Sequence, residues 1–162
     1  MNYVFDSTSL IYLGKLKALE KLAKLRGKKF IPENVYKEVV TKGLERGDAE
    51  ANYIDSLISK KIFSIRSAAS DRIPFISIAD SEVLEIARRT KSIAIIDEIQ
   101  ASRIAVSYGI ETHGTVYILI KLMENKLITK NDVINYIDKM ISDGFYLSAG
   151  KYKEILNFIE KM

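Results

Sequence analysis

The chain has no cysteine, one histidine and two prolines in 162 residues. Without cysteine it has no disulfide scaffold, thiolate zinc site, iron–sulfur cluster or cysteine nucleophile. His113 alone cannot furnish a multi-histidine metal site within one chain. A metal bound here is therefore held mainly by oxygen, which selects a hard cation such as Mg²⁺ or Mn²⁺. No stretch approaches the ~18 apolar residues that a membrane-spanning helix needs. Residues 1–13 lack the basic start and long apolar run of a signal peptide, so a cytoplasmic protein with no membrane partner is expected. With only two prolines and eight glycines, and no low-complexity linker or internal repeat, one domain is expected.

What is present is a large apolar fraction, 48% of residues, enough to bury a core without covalent staples. The 25 basic and 21 acidic side chains leave a net charge of +4, a mild excess compatible with nucleic acid but not demanding it. Short β-rich apolar runs occur at residues 3–5, 30–31, 62–65 and 93–96, with a weaker one around 110–112. Between them lie segments of helical periodicity, at 9–25, 33–44, 49–60, 78–89 and 98–108. Strand alternating with helix predicts an α/β fold, with parallel strands joined by helical crossovers on both faces of the sheet. Beyond Gly114 the pattern is helical only, at 115–124, 131–142 and 149–161. Thr129 with Asp132 makes a capping box, and Asp143-Gly144 makes a break. The expected organisation is an α/β core over about 1–114 and a helical part over about 115–162.

Most of the acidic residues belong on a solvated surface; the informative ones stand where the pattern predicts something apolar. Asp6 ends the strand-like Tyr3-Val4-Phe5, and Asp97, followed by Glu98, ends Ile93-Ala94-Ile95-Ile96. In open α/β sheets ligands bind outside the carboxyl ends of the strands. Helix capping is the alternative explanation for both. At 100° per residue Glu38 lies at the edge of the stripe made by Val35, Tyr36, Val39 and Val40. Asp80 falls within the apolar face defined by Ala79, Val83, Ile86 and Ala87, with Glu82 at its edge and Glu85 opposite. A carboxylate on a core face is costly unless paired or bound to a cation. For Asp80 the capping-box spacing of Ser77-Ile78-Ala79-Asp80 offers a purely structural account.

At these residues the sequence resembles the PIN-domain nucleases, in particular the prokaryotic branch of VapC-type toxins and their DUF3368-like relatives. Val4-Phe5-Asp6-Ser7-Thr8-Ser9-Leu10-Ile11 is similar to that branch's first acidic motif, and Ile31-Pro32-Glu33-Asn34-Val35-Tyr36-Lys37-Glu38-Val39 to its second. Ala79-Asp80-Ser81-Glu82-Val83-Leu84-Glu85-Ile86-Ala87 resembles a third motif that usually reads Gly-Glu, here replaced by Ala79 and the shorter acid Asp80. Ile95-Ile96-Asp97-Glu98, with Arg103, Gly109 and Gly114-Thr115 behind it, resembles the fourth. Relatives often carry Asp-Asp where this chain has Asp97-Glu98, and many toxins place Thr or Ser where Ile95 stands.

The resemblance implies a five-stranded parallel sheet flanked by helices, with Asp6, Glu38, Asp80 and Asp97 converging on one cleft. It implies metal-dependent cleavage of RNA, commonly a homodimer, and among toxins a small antitoxin protein that occludes the cleft. On this reading Asp6 and Asp97 bind Mg²⁺ or Mn²⁺ directly, Glu38 and Asp80 bind it directly or through water, and Glu98 assists. Thr8 orients a water or phosphate, or else caps a helix. RNA is drawn in by basic groups: Lys15, Lys17, Lys21, Lys24, Arg26, Lys28 and Lys29, then Arg88, Arg89 and Lys91, with Arg103 the strongest single candidate. Solvated helix faces explain the first cluster equally well.

A haloacid-dehalogenase-type phosphatase needs a second Asp two residues after the first, where this chain has Thr8. A phospho-receiver needs an acidic pair and a strand-end lysine, for which the sequence offers no placement. The remaining rival is non-enzymatic, a PIN-like module that binds RNA or protein without cutting; the four retained acids oppose it, and Asp80 in place of Glu favours it.

Overall fold

The computed structural model describes residues 1–69 and 72–162. Five strands, β1 (Tyr3–Phe5), β2 (Lys29–Pro32), β3 (Ser64–Arg66), β4 (Ile93–Ile95) and β5 (Thr112–His113), form one sheet in the order β3-β2-β1-β4-β5. Every pairing is parallel, with Tyr3 opposite both Lys29 and Ile93. β1 is therefore central, and Tyr3, Val4 and Phe5 are all buried. A parallel strand covered on both faces reads as a continuous apolar run rather than an alternation.

The crossovers are α1 (Ser7–Lys15), then α2 (Glu33–Tyr36), α3 (Lys42–Arg46) and α4 (Ala49–Ser59), then α5 (Ile78–Thr90) and α6 (Ile99–Ser107). A π-helical turn over Lys37–Thr41 joins α2 to α3, so 33–46 runs as one helix with a local widening. Glu38 sits on that turn. The chain divides into two compact units, Met1–Tyr117 and Ile118–Met162. The first holds the sheet. The second contains most of α7 (Thr115–Glu124) together with α8 (Lys130–Ser142) and α9 (Ala149–Lys161). Its α8 opens with the expected reciprocal Thr129/Asp132 capping box, and Tyr152 Oη donates to Asp138 Oδ1 (2.6 Å), tying α9 to α8.

Helix ends account for the differences from the sequence-based boundaries. The helix expected over 9–25 stops at Lys15 and resumes as a 3₁₀ segment over Leu19–Lys24. Lys17 lies in the left-handed region (φ 53°). Its N–H reaches the Gly14 carbonyl, and that of Ala18 reaches the Leu13 carbonyl. This is the Schellman pattern, usually built on glycine. It recurs at Lys61, Lys91 and Lys126, and with glycine at Gly109 and Gly144. The motif consumes the N–H of the following residue: Ile62 bonds to Leu57, and Ile110 to Ala105. Neither N–H is then free for a ladder, which is why β3 starts at Ser64 rather than 62 and β5 at Thr112 rather than 110.

A left-handed lysine costs more than a glycine there, offset by its charge at the negative end of the helix dipole. Comparing Lys126→Gly with Lys126→Ala removes the charge from both. The glycine variant is expected to be more stable by ~1 kcal/mol in urea denaturation. Equal stabilities would show that the backbone relaxes out of the left-handed region.

Candidate active site

Asp6 and Asp97 meet at the carboxyl ends of adjacent strands β1 and β4. Asp6 is both a helix cap and something more. One oxygen, Oδ1, accepts from the Ser9 backbone N–H (2.7 Å) and the Ser9 hydroxyl, which closes the first turn of α1. The other, Oδ2, accepts from the backbone N–H of Asp97 (3.2 Å). Asp6 is only 4% exposed. Burial, and then the neighbouring Asp97 charge, push its pKa up to about 7, although the hydrogen bonds from Ser9 and Asp97 pull the other way.

Asp97 is held from the far side. Thr115, buried at the start of α7, donates its N–H to Asp97 Oδ1 (2.8 Å) and its hydroxyl to Oδ2. Burial raises the Asp97 pKa, and the two bonds from Thr115 partly counter this. The approach of that oxygen explains Gly114: a Cβ there would lie 2.6 Å from Asp97 Oδ1. Gly114→Ala is therefore expected to push the carboxylate aside and reduce any activity that depends on Asp97 by about 10–100-fold, since ångström-scale misplacement has that order of effect. Activity within twofold of wild type, at unchanged stability, would show that the position of Asp97 does not matter.

Glu38, exposed on the π turn, accepts from the Ser7 hydroxyl (2.8 Å), the residue that follows Asp6. π turns inside α-helices occur frequently at functional sites. Asp80 lies in the first turn of α5, where Ser77 caps the helix. The Ser77 hydroxyl accepts from the Asp80 N–H (3.0 Å) and donates to Asp80 Oδ2 (2.8 Å). The reciprocal bond of a full capping box, from the Ser77 backbone N–H, is replaced by this hydroxyl contact, so Asp80 is only half committed to capping. Its pKa is raised, first by burial and further by the charges of Glu98 and Glu38, against the Ser77 bond. That coupling brings Asp80, Glu98 and Glu38 into one electrostatic neighbourhood.

Two acids have structural employment. Glu98 caps α6, accepting from the backbone N–H groups of Gln100 (3.0 Å) and Ala101 (2.5 Å). Glu82, expected at the edge of the α5 stripe, is buried, and accepts from Asn34 N–H (3.0 Å) and Asn34 Nδ2 (2.7 Å), fixing the start of α2. Thr8 and Arg103 are exposed, on the first turn of α1 and on α6, and make no hydrogen bond or ion pair to the acids among the described residues. Ser7 and Thr115, partners of Glu38 and Asp97, stand in the motifs read from the sequence without any signal of those contacts, which span 31 and 18 residues.

A PIN domain model designated DUF3368 matches residues 2–161. The chain belongs to the PIN-domain family. Among solved structures this PIN domain resembles a PilT N-terminus domain protein from the hyperthermophilic archaeon Sulfolobus solfataricus P2. The TM-score is 0.57 at 18% identity, over 76% of this chain and 95% of that one. A domain of a functionally unknown protein from Methanocaldococcus jannaschii also matches, with TM-score 0.49 at 19% identity over 70% of this chain and 91% of that one. The comparison with curated proteins gave no match. The fold is accordingly that of a PIN domain, a nuclease-type fold with a five-stranded parallel sheet.

The donors of this PIN domain suit a hard divalent cation. All four acids are carboxylates, three of them are held above their ordinary pKa by burial, and none pairs with lysine or arginine among the described residues. A buried acid without a cationic partner is a costly arrangement that a bound cation relieves. Among the described residues no three acidic or histidine side chains are gathered tightly enough to chelate an ion as they stand. Asp6 and Asp97 form a pair linked through the Asp97 N–H, with Glu38 exposed and Asp80, like Asp97, half-buried. Among the described residues no helix is long and apolar enough to cross a membrane.

Proposed function

We propose that this PIN domain is a Mg²⁺- or Mn²⁺-dependent endoribonuclease that hydrolyses RNA phosphodiester bonds at Asp6, Asp97, Glu38 and Asp80. The observation that carries the reading is the Asp6–Asp97 pair, Asp6 buried and Asp97 half-buried at adjacent strand ends, without a cationic partner among the described residues. Asp6 and Asp97 would hold the ion, with Glu38 and Asp80 completing its shell. When bound, such an ion offsets charge on the phosphoryl oxygens and makes a coordinated water more acidic. The protein's own part is to keep Asp97 in place through Thr115 and Gly114, Asp6 through Ser9, and Glu38 through Ser7.

Phe75 supports a single-stranded nucleic-acid substrate. It lies two residues before the Ser77 cap, is 83% exposed and adopts φ 71°. A bulky residue in that conformation is strained, and an exposed aromatic ring is a platform on which a base can stack. The resemblance noted from the sequence extends the proposal to a toxin-type enzyme, a homodimer with a small antitoxin over its cleft.

The test is cleavage of a mixed RNA pool with Mn²⁺, with Mg²⁺ and with EDTA. Cleavage with either metal that stops in EDTA is expected. RNA binding without cleavage under every condition would replace this reading with a binding module, the role that the shorter acid at position 80 favours.

A further inference from the structure

On the opposite edge of the sheet, at the amino ends of β2 and β3, lies a cavity of about 320 Å³ lined by Ala23, Leu25, Gly27, Lys28, Lys29, Lys61, Ile62 and Ser64. Three lysines contribute to its wall, and no acidic residue does. None of the three forms an ion pair among the described residues, although Lys60, next to Lys61, is paired with Glu20 (3.7 Å). Lys29 is the unusual one. It is the first residue of a strand flanked on both sides, and it is only 6% exposed. Its ammonium donates to the Leu25 carbonyl, one acceptor for a group with three donors. Burial lowers its pKa, as expected where no anion compensates the charge.

Bland explanations cover the parts separately. Lys61 sits at the left-handed end of α4, where a cation meets the helix dipole, and Lys28 is a surface residue. They do not cover the combination, in which a desolvated ammonium and two unpaired ones line a single concavity. Such a cleft concentrates positive potential and raises the local concentration of anions. Lysine acts on phosphate as a point charge, and three of them around one small concavity suit a compact, multiply charged anion such as a phosphate group. The volume is near the lower end for small-molecule sites, room for a phosphate or pyrophosphate group with little attached.

We propose that this cavity is a phosphate-binding site, formed by Lys28, Lys29 and Lys61 and separate from the acidic cleft. The strands between the two edges run from Lys29 to Pro32 and from Tyr3 to Phe5, so the site does not share residues with the four acids. It recognises either a small free phosphate compound or a phosphate of bound RNA that reaches this edge; the chemistry is the same.

Calorimetric titration of inorganic pyrophosphate into the metal-free protein at fixed ionic strength tests this. Wild type and Asp97→Asn should show one saturable site of equal affinity, which separates it from the acidic cleft. The double variant Lys28→Gln/Lys61→Gln changes only exposed side chains and should keep its thermal stability while binding at least tenfold more weakly. Lys29→Met, if folded, should lose the site. Displacement of pyrophosphate by an RNA oligonucleotide would assign the phosphate to RNA, and failure to displace would assign it to a small compound. No saturable binding by wild type, or equal binding by the double variant, overturns the proposal.

Discussion

Asp97→Asn is expected to reduce metal-dependent RNA cleavage by at least about a thousandfold while leaving the fold intact. The substitution separates charge from shape unusually well here. The asparagine carbonyl can still accept from the Thr115 N–H, and its amide can donate to the Thr115 hydroxyl, which reverses its own role from donor to acceptor. The Asp97 backbone N–H that reaches Asp6 is untouched. What disappears is one negative charge at the end of β4. Circular dichroism should therefore match wild type, with thermal unfolding shifted slightly upward in EDTA because a like charge beside the buried Asp6 has gone. Cleavage within tenfold of wild type would sink the assignment and leave Asp97 as a clasp between β4 and Thr115. Loss of cleavage accompanied by unfolding would favour the same structural role.

Much of this site was legible because two of its acids are marked locally. An apolar run ending in Asp is visible at Phe5-Asp6 and Ile96-Asp97 without knowledge of the fold, and parallel pairing puts both ends on one edge. Asp80 was legible as ambiguous, and the structure keeps it so, half capping and half free. Contacts between distant segments were not legible. Nothing at Ser7 announces that it will hold Glu38, and nothing at Glu82 announces that it will clamp Asn34. The helical wheel also assumes 100° per residue, which the π turn at Lys37–Thr41 breaks where Glu38 stands. The fold was readable to within a residue or two at most strands; the misses trace to helices that close on a left-handed residue, at Lys17 and Lys61 without the glycine that serves as a stop signal, and at Gly109 ahead of β5. Lys29 was read with a basic surface cluster, but the flanking of β2 by β1 and β3 buries it.

Asp6→Asn is expected to abolish cleavage and, without metal, to make the protein more stable at pH 8 than wild type by about 2–3 kcal/mol. The sign follows from the proton balance. Asp6 has a pKa of about 7 when folded and an ordinary value of 3.8, so folding takes up a proton between about pH 4 and pH 7. Wild-type stability therefore falls as pH rises through that window. The cost is absent below the ordinary value and complete above the folded one. At ~1.4 kcal/mol per tenfold change in proton affinity it reaches about 4 kcal/mol at most. Asp80 and Asp97, whose values are also raised, add in the same direction. Asparagine carries no charge and escapes the penalty. It can keep the bonds from Ser9 through its carbonyl, but its amide then faces the Asp97 N–H, donor against donor, at a cost of about 1 kcal/mol or more. The stability curves of wild type and variant should therefore cross: the substitution costs stability near pH 4.5 and adds it at pH 8. Urea denaturation in EDTA at both values checks this, and Mg²⁺ or Mn²⁺ should stabilise wild type at pH 8 but have little effect on the variant. An Asp6→Asn protein less stable than wild type at pH 8 without metal would mean that the carboxylate is retained for capping α1 and binding Asp97, and that its charge serves the fold rather than the chemistry.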